Sequence, residues 1–337
     1  MKVKNKTYKE DRRIIKKNID LSEKWIDILK VNPINHIIEN GLPSDVFLLI
    51  KDVFGYNYDH TLYRLAEKAA FKQSGLHKIF HKGQNKFIDV SLDKNQLFFN
   101  QLQRIHLIAN FGATSYLNPV KDEIIKLFEF QNQDGRFPLY YQHNAHACNQ
   151  LIRLGMEGNV NIDKCANWLI KRQRNDGGWI HKNNLVSGKS LSNTKSCIWT
   201  TAEIALFLSK RSLFRQSEAN KKACSFLLRN ILKPNQASTL LSNEDSWDQL
   251  HISSDPKYMF AGGTLKVLEI LSLIGYNCSN KVYKKLYQWL LDQQLENGFF
   301  PRKVSKLKIA DTLTTIKALE LIRNTESHRR HDKNAEI

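Results

Sequence analysis

Three short segments of this chain share one pattern. Gln131-Asn132-Gln133-Asp134-Gly135-Arg136-Phe137, Gln173-Arg174-Asn175-Asp176-Gly177-Gly178-Trp179 and Gln294-Leu295-Glu296-Asn297-Gly298-Phe299-Phe300 all read Gln-x-x-[Asp/Asn]-Gly-x-aromatic. A turn needs only a glycine or an asparagine. A glutamine and an aromatic residue at fixed offsets therefore mean that one supersecondary unit is built at least three times. The residues seven, four and three positions before each glutamine are apolar: Ile124, Leu127 and Phe128; Ala166, Leu169 and Ile170; Tyr287, Leu290 and Leu291. Those offsets define one face of a helix. Each glutamine is expected to close an amphipathic helix, with the glycine ending it in the left-handed conformation. Lys171, Arg172 and Arg174 suit the negative end of such a helix.

Degenerate copies end at Asn32, Gln73 and Ile231, which makes six marks. A second apolar helical stretch follows each, at about Ser44–Val53, Asn95–Ala109, Asn144–Leu154, Trp199–Ser209, Phe260–Ile274 and Asp311–Ile322. Strand signals are few. Six helical hairpins form either an open solenoid or a ring. No polar capping repeat is evident, which favours the ring. The expected organisation is a basic extension over residues 1–20, one all-α domain over 21–323 and a polar tail over 324–337, frayed at its end.

The three complete copies resemble the repeat of squalene–hopene cyclases and protein prenyltransferase β subunits. That resemblance implies an (α/α)6 toroid of six inner and six outer helices, in which the Gln and the aromatic residue tie one helix end to its neighbour. It implies less about chemistry, because the repeat is architectural. The cyclases carry Asp-x-Asp-Asp-Thr-Ala at the start of an inner helix. The nearest match here, Cys197-Ile198-Trp199-Thr200-Thr201-Ala202, keeps Thr-Ala and none of the aspartates, and Asp311-Thr312-Leu313-Thr314-Thr315-Ile316 keeps only the first. Protonation by paired carboxylates is therefore not expected. The prenyltransferases bind zinc through Asp-x-Cys and a later His. Cys197 fits the cysteine, but Lys195 stands in place of the aspartate.

His143 and His146, three apart, share a helix face. With Cys197 and Asp311 at the starts of two other inner helices, they are the catalytic candidates. His143, Cys197 and Asp311 are the residues a zinc site would draw on, although no complete zinc or magnesium motif is present. Tyr141, Trp199, Thr200, Tyr258, Phe260, Lys195 and Lys257 are the ligand-binding candidates, since they lie at or just before inner-helix starts. The cluster Glu244-Asp245-Ser246-Trp247-Asp248 has the carboxylates to hold a divalent ion or diphosphate-bound magnesium, but such a run is more often a solvated loop or a helix start with acidic residues in its first turn. Gly262-Gly263-Thr264 lacks the ending of a phosphate loop. Tyr140, Tyr141, His143, Asn144 and His146 also resemble the residue types of α/α-toroid polysaccharide lyases, which use Tyr and His as acid and base and Asn or Arg to neutralise a uronate.

The 337 residues carry a formal charge of +18, and 42% are hydrophobic. The chain is globular, and its charge suits an anionic partner. The basic residues are spread along it, with no nucleic-acid motif. No apolar run reaches the length of a membrane span. Five cysteines without a Cys-x-x-Cys pair, and an N-terminus without a hydrophobic signal core, lead to the expectation of a reduced, cytoplasmic protein. The leading expectation is a protein that binds or transforms an isoprenoid, free or as a prenyl diphosphate, in a central cavity. The alternatives are a non-catalytic toroidal binding module, with or without a protein partner, and a polysaccharide lyase.

Overall fold

The computed structural model describes residues 2–73, 80, 92–181, 195–231, 259–260, 263–302 and 308–335, with the side chains of 2–7, 73 and 328–335 left aside. Tyr258, Lys257, the acidic cluster at 244–248 and Gly262 lie outside the described residues.

The fold is an all-α toroid. Its elements are α1 (Lys2–Asn18), α2 (Ile34–Asn40), α3 (Pro43–Leu48), α4 (Thr61–Gln73), α5 (Lys94–Asn110), α6 (Asn118–Phe128), α7 (Tyr141–Arg153), α8 (Val160–Ile170), α9 (Ile198–Lys210), α10 (Ser212–Arg215), α11 (Glu218–Asn230), α12 (Thr264–Leu273), α13 (Lys281–Asp292) and α14 (Thr312–Ala335). A 3₁₀ turn (Lys24–Ile28) precedes α2, and a π turn (Leu49–Val53) extends α3. The inner ring is α3 with its π turn, α5, α7, α9, α12 and α14. From α5 onward neighbours pack in that order, and α14 returns to α3 and the π turn; Gly112, just past α5, lies against Phe47 and Leu48 of α3. The inner helices α9 and α12 are buried around almost their whole circumference, as helices enclosed by other helices must be.

Each complete staple has the same hydrogen bonds. The Nε2 groups of Gln131, Gln173 and Gln294 donate to the carbonyls of Gly135, Gly177 and Gly298 at 2.7, 2.9 and 2.8 Å. The same groups also donate to Asn161, Ala219 and Val31, at 2.9, 2.7 and 2.8 Å. Asn161 and Ala219 lie in the first turns of α8 and α11, and Val31 leads into α2. Each glutamine thus ties its own turn to the start of the next outer helix. Asp134, Asp176 and Asn297 accept the N–H two residues on, at 3.1, 3.0 and 3.1 Å, the usual role of such side chains in turns. The aromatic residue ties the turn to the inner ring through its own N–H: Phe137 donates to Asn144 Oδ1 (2.7 Å), Trp179 to Thr201 Oγ1 (3.0 Å) and Phe300 to Thr315 Oγ1 (2.9 Å). All three rings are buried.

Two details differ from the sequence expectation. The helices end two or three residues before the glutamine, at Phe128, Ile170 and Asp292. The glycine belongs to the turn that follows, with φ of 90° at Gly135, 92° at Gly177 and 85° at Gly298. The mark at Asn32 does not close an α-helix either. The residues before it form the 3₁₀ turn, and Asn32 Oδ1 accepts the N–H of Ile34 at 2.9 Å, so it opens α2.

The ring closes through Gln294, whose Oε1 accepts the Lys30 N–H at 2.7 Å while its Nε2 holds Val31. Arg323 reaches Glu23 at 3.2 Å on the same seam. The segments expected to be peripheral carry helix: α1 buries Ile15, and α14 runs on to place Thr325 2.6 Å from Tyr283 Oη. No disulfide links the cysteines. No helix among the described residues is long and apolar enough to cross a membrane.

Candidate functional site

At the three complete staples the end of the outer helix meets the start of the inner helix that follows, α7, α9 or α14. The N-termini of these inner helices therefore share one rim, and their positive ends face it.

At this rim a ring of aromatic and imidazole groups surrounds His143 on α7. Phe260 lies edge-on at 4.6 Å between centroids, Tyr140 at 5.5 Å and Phe99 of α5 at 5.9 Å. His181 sits 5.8 Å from Tyr140. His143 is buried, and its Nδ1 makes no hydrogen bond. Burial, reinforced by His146 and His181, pulls its pKa down to about 3, so the imidazole is neutral at pH 7. Burial lowers His181 as well.

Below the rim, the bore is lined by charge. Counting from the staple acceptors Asn144 and Thr201, the residues two and nine places on (His146 and Arg153; Glu203 and Lys210) line the cavity, as does Lys317 two places after Thr315. Lys266 and Glu269 of α12 join them. Glu203 is the hub of the upper tier. It accepts from His146 Nδ1 (2.9 Å), Asn149 Nδ2 (2.9 Å) and Lys266 Nζ (2.8 Å). Burial alone would raise the Glu203 carboxyl, but Lys266 and then His146 outweigh it and hold it far below the usual carboxylate range. In the lower tier Lys210 pairs with Glu269 at 2.9 Å, and Lys317 bridges Glu320 (2.6 Å) and Asp52 (3.8 Å). Burial would also raise Glu269, yet Lys210 and Lys317 bring it down to about 2. The Glu320 carboxyl is raised by burial.

The other sequence candidates have separate surroundings. Tyr141 turns outward, 5.4 Å from the Trp168 ring on α8, and it is Tyr140 that faces His143. Cys197 caps α9, its sulfur accepting the Thr200 N–H at 3.5 Å. Asp311 caps α14, accepting from Thr314 N at 2.8 Å and pairing with Arg302 at 2.7 Å. Thr200 donates to Gln142 at 3.2 Å, Trp199 is buried and Lys195 is exposed. His146 lies within the bore network and Phe260 at the rim. The quartet of His143, His146, Cys197 and Asp311 does not gather into a ligand set. Among the described residues no three His, Cys, Asp or Glu side chains form a metal-binding group. Of the bore residues His106, Glu203, Lys266, Glu269 and Lys317, only three carried a sequence signal. For Glu203 in α9 and for Lys266 and Glu269 in α12 it is a charge inside a largely apolar inner helix.

No protein-family model matches the chain, and no curated protein sequence matches it. Among solved structures it is similar to a polysaccharide lyase (TM-score 0.46, 12% identity, covering 86% of this chain and 90% of that one). It is also similar to the type II terpene cyclase MstE from Scytonema (TM-score 0.28, 10% identity, 75% of this chain and 97% of that one). A substituted form of that cyclase, in complex with geranylgeranyl dihydroxybenzoate, gives a TM-score of 0.29 at 10% identity, with 84% and 99% covered.

Proposed function

We propose that the chain binds an acidic carbohydrate across the rim and cleaves it by β-elimination, with Tyr140 and His143 as the proton-transfer pair. The observation that carries this reading is the convergence of a neutral His143, its Nδ1 without a hydrogen bond, with Tyr140 and His181 above a bore filled by ion pairs. Elimination next to a uronate carboxylate needs a base for the α-proton and an acid for the departing glycosidic oxygen. The C–H electrons become the new C=C bond, the C–O bond breaks, and the leaving oxygen takes a proton. A neutral imidazole keeps the lone pair that a base requires. The inner-helix N-termini and the chain's +18 charge favour the substrate carboxylate. Incubation with polyuronates of different composition tests this reading. Growth of the ultraviolet absorbance of an unsaturated uronide, lost in Tyr140→Phe and in His143→Ala, supports it. Binding without product would leave a non-catalytic binding module.

A second reading keeps one supporting observation: the Phe99 and Phe260 rings flank His143 and present apolar edges at the rim. An isoprenoid would lodge there, with a diphosphate against the helix N-termini. The charged bore offers a hydrocarbon chain no favourable seat, because burying charge against it forfeits solvation. Thermal stabilisation by farnesyl or geranylgeranyl diphosphate, with no turnover of polyuronate, would favour this reading over the lyase.

A further inference from the structure

The cavity inside the bore measures about 40 Å³, well above what a single water needs. Among the described residues, Arg153, Lys210, Lys266 and Lys317 bring four cations to its lining, and Glu203 and Glu269 bring two carboxylates. Each lysine has its own carboxylate: Glu203 for Lys266, Glu269 for Lys210 and Glu320 for Lys317. Arg153 belongs to no ion pair of the described residues. Neutral oxygens alone hold its guanidinium. Nη1 donates to Asn110 Oδ1 at 2.7 Å and to Gln150 Oε1 at 3.1 Å, and Nη2 donates to the Ala109 carbonyl at 3.3 Å. A guanidinium has five N–H groups, so Nε and one N–H of Nη2 remain. Burial pulls the Arg153 pKa below its ordinary value, and a desolvated charge with no counter-charge is costly. Lys51, its Nζ 3.4 Å from the Arg153 carbonyl, adds a second cation beside it, also lowered by burial.

Asn149 lines the same cavity and is 1% exposed. Its Nδ2 donates to the Glu203 carboxylate at 2.9 Å and to the Glu203 carbonyl at 3.2 Å. Both partners are acceptors, so the amide cannot be turned over. Its Oδ1 is buried and accepts no hydrogen bond. A buried acceptor left open in this way calls for a donor. We infer that the bore holds one small oxyanion that keeps an O–H group, of the hydrogen phosphate class, with its charge against Arg153 and its O–H given to Asn149 Oδ1. This site is independent of what the rim binds. The polar groups around it select among ligands. Sulfate would bring only acceptors to Glu203, Glu269 and Asn149. A neutral ligand would leave Arg153 without a counter-charge. Hydrogen phosphate brings oxygens for the guanidinium fork and an O–H for the open acceptor.

Calorimetric titration of the full chain in chloride buffer at neutral pH, with inorganic phosphate and with sulfate at matched ionic strength, tests the site. The expected result is saturable binding of one phosphate per chain. Sulfate should bind roughly tenfold to a hundredfold more weakly, because it leaves a buried acceptor unpaired. No saturable heat with phosphate overturns the inference and leaves the cavity to water. Equal affinity for the two ions overturns it as well, since charge alone would then account for binding. Arg153→Gln removes the counter-charge and should abolish phosphate binding. A folded Arg153→Gln protein that binds phosphate as the wild type does would place the ion elsewhere, such as at the inner-helix N-termini. If Arg153→Gln does not fold, Asn149→Ala still decides: it should shrink the preference for phosphate over sulfate, and an unchanged ratio overturns the assignment.

Discussion

Gln294 and Val31 are 263 residues apart in sequence and 2.8 Å apart in space. The first and last hairpins are therefore joined by the same bond that joins Gln131 to Asn161 and Gln173 to Ala219. This staple seals the ring. Gln294→Ala should leave buried carbonyls and the Lys30 N–H unsatisfied, at a cost of about 2–4 kcal/mol. Urea unfolding checks this. If the loss is no larger than that of an exposed surface alanine, the seam is held by something else.

The pair formed by Glu203 and Lys266 should show strong coupling. Glu203→Gln strands the Lys266 ammonium in the bore, and Lys266→Met strands the carboxylate. Each should cost about 3–5 kcal/mol. The double substitution removes both charges and should recover a large part of the sum. A double-mutant cycle in denaturant gives the coupling, and additive losses would mean that the two residues act separately.

Acid should destabilise the fold in two stages. The first concerns His143, whose folded pKa of about 3 lies below its ordinary 6.5. The unfolded state binds its proton first, so stability is lost as pH falls below about 6.5. The second concerns Glu269, depressed from 4.5 to about 2. Its contribution is complete above the unfolded value and disappears as pH falls through 4.5 toward 2. Stability measured against pH should fall less steeply between about 6.5 and 4.5 in His143→Asn, with His181, also lowered by burial, supplying what slope remains. A slope unchanged by this substitution would place the proton uptake on another group.

Glycine substitutions should separate strain from collision. Gly177 and Gly275 both have positive φ, 92° and 101°. A Cβ on Gly177 would stand 2.5 Å from the Lys222 carbonyl oxygen, whereas one on Gly275 meets nothing within 4 Å. Gly275→Ala should cost about 1–2 kcal/mol for the left-handed conformation alone, and Gly177→Ala distinctly more. The two midpoints of thermal unfolding, measured side by side, test the order.

The hairpins were legible in the sequence because apolar residues recur with the helical period, and the staples because a glutamine and an aromatic residue have fixed places in them. The bore was not legible. Glu203, Lys266 and Lys317 lie on three helices and are separated in sequence by tens of residues. Each alone resembles a solvated charge, and only closure of the ring brings their side chains inward. Helix ends were displaced for a local reason, since Gln173 donates to a carbonyl beyond its own helix and so must lie past its end. The exchange of Tyr141 for Tyr140 is a matter of one residue, which turns a side chain by about 100° around a helix.

The N–H that each staple aromatic gives to Asn144, Thr201 or Thr315 fixes the axial height and the rotation of an inner helix together. Those three contacts act as the zero of a ruler. Two residues beyond the zero stand His146, Glu203 and Lys317, all in the bore, and nine beyond it stand Arg153 and Lys210. In a chain built on these staples, the residues that meet at the centre can be named by counting from each aromatic's partner, before any distance is measured.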